Sequence, residues 1–163
     1  SSFHLINNSL QNFYFSSMKK KILILVVVLL NLSTIYAQEW QTDFEKAKKT
    51  ASTEDKPIIL VFQGSDWCAP CIKLDRQVWS TATFKKYALE NYVMLQADFP
   101  RKRENSLSET QAKANAKLAE TYNSNGIFPF VVVLDANGNV LGKTGYKKTT
   151  PEQYIKELNA FTE

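Results

Sequence analysis

Apolar residues recur in two rhythms along the chain. Between residues 39 and 53, Trp40, Phe44, Ala47 and Ala51 fall four, three and four apart, the spacing of one face of an amphipathic helix. Lys56-Pro57 ends that stretch, and residues 58–62 (IILVF) form a short, branched, continuously apolar run that predicts a buried strand. Gly64-Ser65-Asp66 breaks the run. A helix is then expected to begin at the two cysteines, Cys68 and Cys71, and to cover Ile72, Leu74, Val78 and Trp79. Ser80 or Thr81 can cap a second helical segment through Phe84, Tyr87 and Ala88. Residues 92–97 (YVMLQA) predict a second strand, and residues 98–106 a polar loop containing Pro100. Ser106 or Ser108 opens a helix carrying Ala112, Ala116, Leu118, Ala119 and Tyr122, which the residues from Asn123 to Gly126 stop. Phe130–Leu134 (FVVVL) predicts a third strand. Asn137-Gly138 is a strong hairpin signal, so Val140–Gly145 should return antiparallel. Pro151 opens a last helix through Tyr154, Ile155, Leu158 and Phe161.

This alternation of helices and strands predicts an α/β fold. Two strands joined through a helix should run parallel, and continuously apolar strands imply a sheet covered by helices on both faces. The cysteines then fall at the carboxyl end of the first strand, where open α/β sheets place reactive groups. No internal repeat or low-complexity segment interrupts the pattern.

The amino-terminal region departs from it. Met18 is followed by Lys19-Lys20-Lys21, by an unbroken apolar run over residues 22–30 (ILILVVVLL), and by a small or polar tail ending at Ala37. That is the layout of a secretory signal over residues 18–37, with cleavage expected between Ala37 and Gln38. The alternative is an uncleaved membrane anchor, but the run is shorter than the roughly 20 apolar residues a crossing helix needs. Residues 1–17 read as upstream sequence from an extended start, without function, and hold the only histidine, His4. The domain is expected over residues 38–163. Its removal of three lysines changes the charge picture: 20 basic residues against 16 acidic become 17 against 16. A basic total therefore says little about partners. Arg101-Lys102-Arg103 reads as a solvated loop, and nucleic acid is not expected as a partner.

Three chemistries suit a pair of cysteines three apart. A structural zinc site wants about four Cys or His ligands, and the chain offers Cys68, Cys71 and a histidine lost with the leader, so no metal is expected. An inert disulfide fits an exported protein, but so short a loop gains little chain-entropy stabilisation. A redox pair accounts for more of the neighbouring residues. Cys68 at a helix entrance would meet unpaired N–H groups and the positive end of the helix dipole, both of which favour a thiolate. Cys71, one turn further on and less exposed, could resolve a mixed disulfide. Pro70 is tolerated in a first turn. Lys73 and Arg76 could add modest thiolate stabilisation, although a solvated face explains them as well. Trp67 could shield the sulfurs or simply pack.

Trp67-Cys68-Ala69-Pro70-Cys71 resembles the Trp-Cys-Gly-Pro-Cys active site of the thioredoxin superfamily, with Ala69 in place of Gly. The resemblance extends through Gly126-Ile127-Phe128-Pro129, Asn137-Gly138 and Gly145, and so spans nearly all of the mature domain. It is nearest to exported bacterial thioredoxin-like proteins. It implies a thioredoxin fold, a mixed sheet flanked by helices on both faces, and a thiol–disulfide oxidoreductase with Cys68 and Cys71 catalytic and no cofactor beyond their disulfide. By the same resemblance Pro129 is a cis-proline beside the cysteines, and Phe128 with Trp67 lines a short strand edge that takes substrate peptide.

One departure bears on rate. The family usually buries an aspartate in the strand before the active site to take the proton of the second cysteine; here Val61 and Phe62 stand in that region. Asp66, nearby and expected to be exposed, could serve through water, and exchange should be slower or differently tuned. The proline between the cysteines resembles reducing members, which implies a protein disulfide reductase acting on disulfide-containing protein substrates. The signal places it in the periplasm or cell envelope, an oxidising compartment where a reductase needs a membrane thiol relay as electron donor, and a monomer is expected. An oxidant or isomerase of the same fold, and a non-catalytic peptide-binding module, are the alternatives.

Overall fold

The computed structural model describes residues 39–163 of the 163-residue chain. The predicted signal, its cleavage point and the upstream residues 1–17 lie outside the described residues. Among the described residues no helix is long and apolar enough to cross a membrane.

Four strands form one mixed sheet in the order β2-β1-β3-β4. Strand β1 (Ile58–Gln63) pairs parallel with β2 (Val93–Asp98) and antiparallel with β3 (Phe130–Leu134), which pairs antiparallel with β4 (Val140–Gly145). The helices are α1 (Phe44–Glu54), α2 (Ala69–Leu74), α3 (Ala82–Asn91), α4 (Glu109–Tyr122) and α5 (Pro151–Asn159). A π-turn over Asp75–Trp79 extends α2, and a single 3-10 turn over Arg103–Asn105 lies in the loop after β2.

The two-residue period of the strands divides the interior into two cores. Ile59, Val61, Met94, Val131 and Val133 face one side, where Leu74, Val78, Trp79, Phe84, Tyr154 and Leu158 cover them. Ile58, Leu60, Phe62, Leu95, Val132 and Leu134 face the other, covered by Ala47 and Ala51 of α1 and Leu118 of α4. Trp79 is the hub of the first core. Its ring meets those of Trp40, Phe84 and Tyr154 edge-on, at centroid separations of 6.1, 4.7 and 5.2 Å. The π-turn, closed by Ser80 N–H donating to the Asp75 carbonyl at 2.8 Å, buries Val78 and Trp79 in succession.

Several element ends are set by single side chains. The Asp43 carboxylate accepts the Lys46 N–H at 3.0 Å and starts α1 at Phe44, while Asp55, in the left-handed region at φ 53°, stops it. Thr81, Ser108 and Thr150 cap α3, α4 and α5. The hairpin between β3 and β4 turns on Gly138 at φ 88°, with Asp135 accepting the N–H groups of Asn137 and Asn139.

Two sequence expectations fail at helix ends. Trp40 is not on the first helix: Gln41 instead bridges to Leu95 at the edge of β2, donating to the Met94 carbonyl and accepting from Gln96. Trp40 and Phe44 share a helical spacing, yet Trp40 packs on the first core and Phe44 on the second. A free edge of β2 competed with helix extension and won, because Asp43 caps the backbone just beyond it. Phe161 likewise lies past the end of α5, in the following turn, where its ring packs against the backbone of Gly142 in β4.

Truncating the hub tests this arrangement. Trp79→Ala should destabilise the domain by about 3–5 kcal/mol, read as a lower urea midpoint with an unchanged slope.

Candidate active site

The cysteines sit where β1 gives way to α2. Gly64 leaves the strand, and its carbonyl accepts the N–H groups of Cys68 at 2.9 Å and Trp67 at 3.3 Å, so the chain turns back within four residues. Glycine is required there for space: a Cβ would lie 2.3 Å from the Trp67 ring, which packs directly on the Gly64 backbone. Cys68 is the N-cap of α2, and its Sγ accepts the Cys71 N–H at 3.3 Å. Pro70 occupies the first turn, where a missing N–H costs nothing. Cys68 and Cys71 are joined as a disulfide with the Cα atoms 5.2 Å apart.

Their exposure differs from the sequence expectation. Cys68 was expected to be open to water and Cys71 sheltered, but they are 3% and 4% exposed. In the disulfide-bonded form both are buried. Ala69 and Pro70 are exposed beside them and form the rim of the site.

The remaining predicted residues gather around this rim. The peptide bond between Phe128 and Pro129 is cis, and Pro129 is buried just before β3. Strand pairing aligns Phe62 with Phe130, so the chain at Pro129 runs beside the end of β1, next to the turn that carries the cysteines. The Trp67 and Phe128 rings meet edge-on at 5.5 Å, joining the residue before the disulfide to the residue before the cis-proline. Phe128 is half-buried and also meets Phe99 edge-on at 5.5 Å.

Asp66 is committed to the loop after β2. Its carboxylate accepts the backbone N–H groups of Arg101 and Lys102, each at 2.9 Å, and the Asn105 amide at 3.0 Å. The Arg101 N–H, then the Asn105 amide, hold its pKa below the ordinary value. A carboxylate so engaged is a weak proton acceptor. On β1 the position facing α2 is Val61, fully buried in the first core, and Phe62 faces the other way.

Sequence reasoning missed the residues that hold the surrounding loops. Asp98 accepts the Ser65 N–H at 2.9 Å and the Ser65 hydroxyl at 2.6 Å. The Trp67 indole N–H donates to the Phe99 carbonyl at 2.7 Å, and the Arg101 guanidinium stands 3.7 Å above the indole centroid. Such a stack contributes about 0.5–1 kcal/mol at an exposed site. Two buried asparagines complete the frame. Asn115 of α4 donates to the Asp98 carbonyl at 2.8 Å and accepts from Gln111. Asn123, which follows α4, brackets Ile127, donating to its carbonyl at 2.9 Å and accepting its N–H at 3.0 Å. Asn115 carried a detectable signal, a polar residue three positions from Leu118 on a buried stripe; Asn123 read only as a helix stop.

The Asp66 clasp has a pH signature. Its folded pKa lies below its unfolded value, so its contribution to stability is present above that ordinary value of 3.8 and is lost as pH falls from there through the lower folded pKa. Asp66→Asn should therefore flatten the acid limb of the stability–pH curve, and should speed amide exchange at Arg101 and Lys102 at neutral pH.

Comparisons with known proteins agree with this geometry. A family model described as thioredoxin-like matches residues 39–136. The disulfide bond reductase DsbH of Chlamydia pneumoniae is 33% identical over 122 residues, which cover 75% of this chain and 71% of that protein. The thioredoxin-related protein DsbJ of the same organism is 28% identical over 99 residues, covering 55% of this chain and 28% of its own length. A solved DsbH oxidoreductase superposes with a TM-score of 0.69 at 32% identity, covering 76% of this chain and 83% of that one. With its mixed four-stranded sheet, its helices on both faces and its Cys-Ala-Pro-Cys disulfide at the end of β1, this chain belongs to the thioredoxin-like family.

Proposed function

We propose that this thiol–disulfide oxidoreductase works as an exported protein disulfide reductase, with Cys68 as nucleophile and Cys71 as resolving thiol. The observation that carries the reading is the Cys68–Cys71 disulfide at the N-terminus of α2, joined through the Trp67–Phe128 contact to the cis-proline loop. The name of the reductase relative at 33% identity supports the same direction of electron flow. The signal-like segment before residue 38 supports export.

In the disulfide the Cys71 N–H donates to the Cys68 sulfur at 3.3 Å, and once the bond is reduced the same donor favours a Cys68 thiolate. That thiolate attacks one sulfur of a substrate disulfide. A new bond forms from Cys68 to the substrate, the substrate S–S bond breaks, and the departing thiolate takes a proton from water. Cys71 then gives its proton to water and attacks the Cys68 sulfur. The mixed disulfide breaks, the second substrate thiol leaves, and the Cys68–Cys71 bond forms. Two electrons pass to the substrate, and a dithiol donor, assigned here to a membrane relay, returns them. The sulfurs carry the electrons, so the cycle uses no metal or organic cofactor. Trp67, Pro70 and Pro129 shape the rim, and Phe128 with Trp67 receives the substrate peptide. Asp66 supports the site by holding the 101–105 loop, and the proton of Cys71 leaves through water because Val61 occupies the position facing α2.

Cys68→Ser should abolish reduction of insulin disulfides, and retained turnover would remove the assignment. A reductase should titrate against glutathione or dithiothreitol near the thioredoxin value of about −270 mV, whereas an oxidant lies near −120 mV. The pH–rate profile should rise with a single ionisation, that of Cys68, without the second inflection that a buried carboxylate with a raised pKa would add.

A further inference from the structure

Arg101 is an unexpected tenant of the rim. Its guanidinium carbon stands over the Trp67 ring, 3.7 Å from the centroid. A guanidinium carries five N–H donors in a planar fork, and one resting on an indole face can still offer some of them to a flat acceptor. No ion pair among the described residues engages it; each is made by a lysine. Asp66 spends both carboxylate oxygens on the backbone N–H groups of Arg101 and Lys102 and on the Asn105 amide. Arg101, Lys102 and Arg103 are all exposed, with Glu104 the one acid in that turn. The indole under Arg101 borders Cys68 and meets Phe128 beside the cis-proline, so the cation stands on the wall of the groove where substrate chain is expected. Ile127, 48% accessible, precedes Phe128, and its backbone is held by Asn123.

We propose that Arg101, stacked on Trp67, selects protein substrates with an aspartate or glutamate next to the cysteine under attack. The inference rests on the reductase reading for its biological meaning. The guanidinium fork pairs a carboxylate in two parallel hydrogen bonds, and the stack holds the fork in place before substrate arrives. Charge therefore acts on the encounter and on the register of the substrate, while the sulfurs do the exchange.

The test uses three synthetic peptides, alike except for Glu, Gln or Lys beside a single cysteine blocked as its thionitrobenzoate mixed disulfide. Reduced protein attacks this activated bond through Cys68 and releases the thionitrobenzoate anion, the better leaving group; Cys71 then releases the peptide thiol. Any accessible thiolate reacts with such a bond, so the rate ratio is obtained even if protein disulfides prove poor substrates and the reductase reading falls. The Glu peptide should react about 3- to 5-fold faster than the Gln peptide at low salt, and the Lys peptide slower than both. The advantage should shrink towards unity at about 1 M salt. Arg101→Gln should bring the Glu/Gln ratio to unity, Arg101→Lys should keep part of it, and Lys102→Gln should leave it in place. A ratio near unity in the unaltered protein, or one that survives Arg101→Gln, would overturn the proposal; because only ratios are compared, a general loss of rate from disturbing Trp67 does not imitate the effect.

Discussion

The site depends on the hydrogen bonds that tie the turn after β1 to the loop after β2. The turn from Gly64 to Cys68 is too short to have a core of its own, and two carboxylates secure it, one within the turn and one at the end of β2. Asp66 reaches out to the backbone of Arg101 and Lys102, and Asp98 reaches back to Ser65. The Trp67 indole adds a bond to the Phe99 carbonyl between them. Charged acceptors on N–H donors are among the stronger hydrogen bonds. Their reciprocal direction fixes both segments together. The disulfide therefore opens onto a wall made by a neighbouring loop, and the chemistry of that loop enters the chemistry of the site.

Much of the fold was legible because the strands are so apolar. Phe130–Leu134 and Val140–Gly145 fall where their pattern put them, since a run of branched residues bounded by Pro129 and by Asn137-Gly138 admits few alternatives. The cysteine pair and the cis-proline were legible through family likeness. Trp40 misled because helical spacing and strand pairing can both bury an aromatic, and only the Asp43 cap and the unpaired edge of β2 decide between them. The exposure of Cys68 was misjudged because the inference described a thiolate, whereas in the disulfide-bonded form both cysteines are buried.

The polar frame was the part a sequence hides. Asp66, Asp98, Asn115 and Asn123 are ordinary residues for loops and caps, and nothing in their spacing tells that the first three reach backbone groups far along the chain or that Asn123 clasps Ile127. Arg101 belongs to a basic triplet that reads as solvated surface, and its distinction lies in standing over an indole 34 positions away in the sequence. Long-range pairing of this kind is a property of the folded surface.

The two buried asparagines give the site a shared foundation. Asn115 fastens the wall that begins at Asp98, and Asn123 fastens Ile127 beside the cis-proline; both stand on α4 or at its end. A helix moves as a stiff rod, so a shift of α4 carries the Asp98 and Ile127 segments in the same sense and leaves their spacing nearly constant. The spacing of the two segments is then left to the loops themselves, residues 99–108 and Ile127, while the spine behind them stays the same.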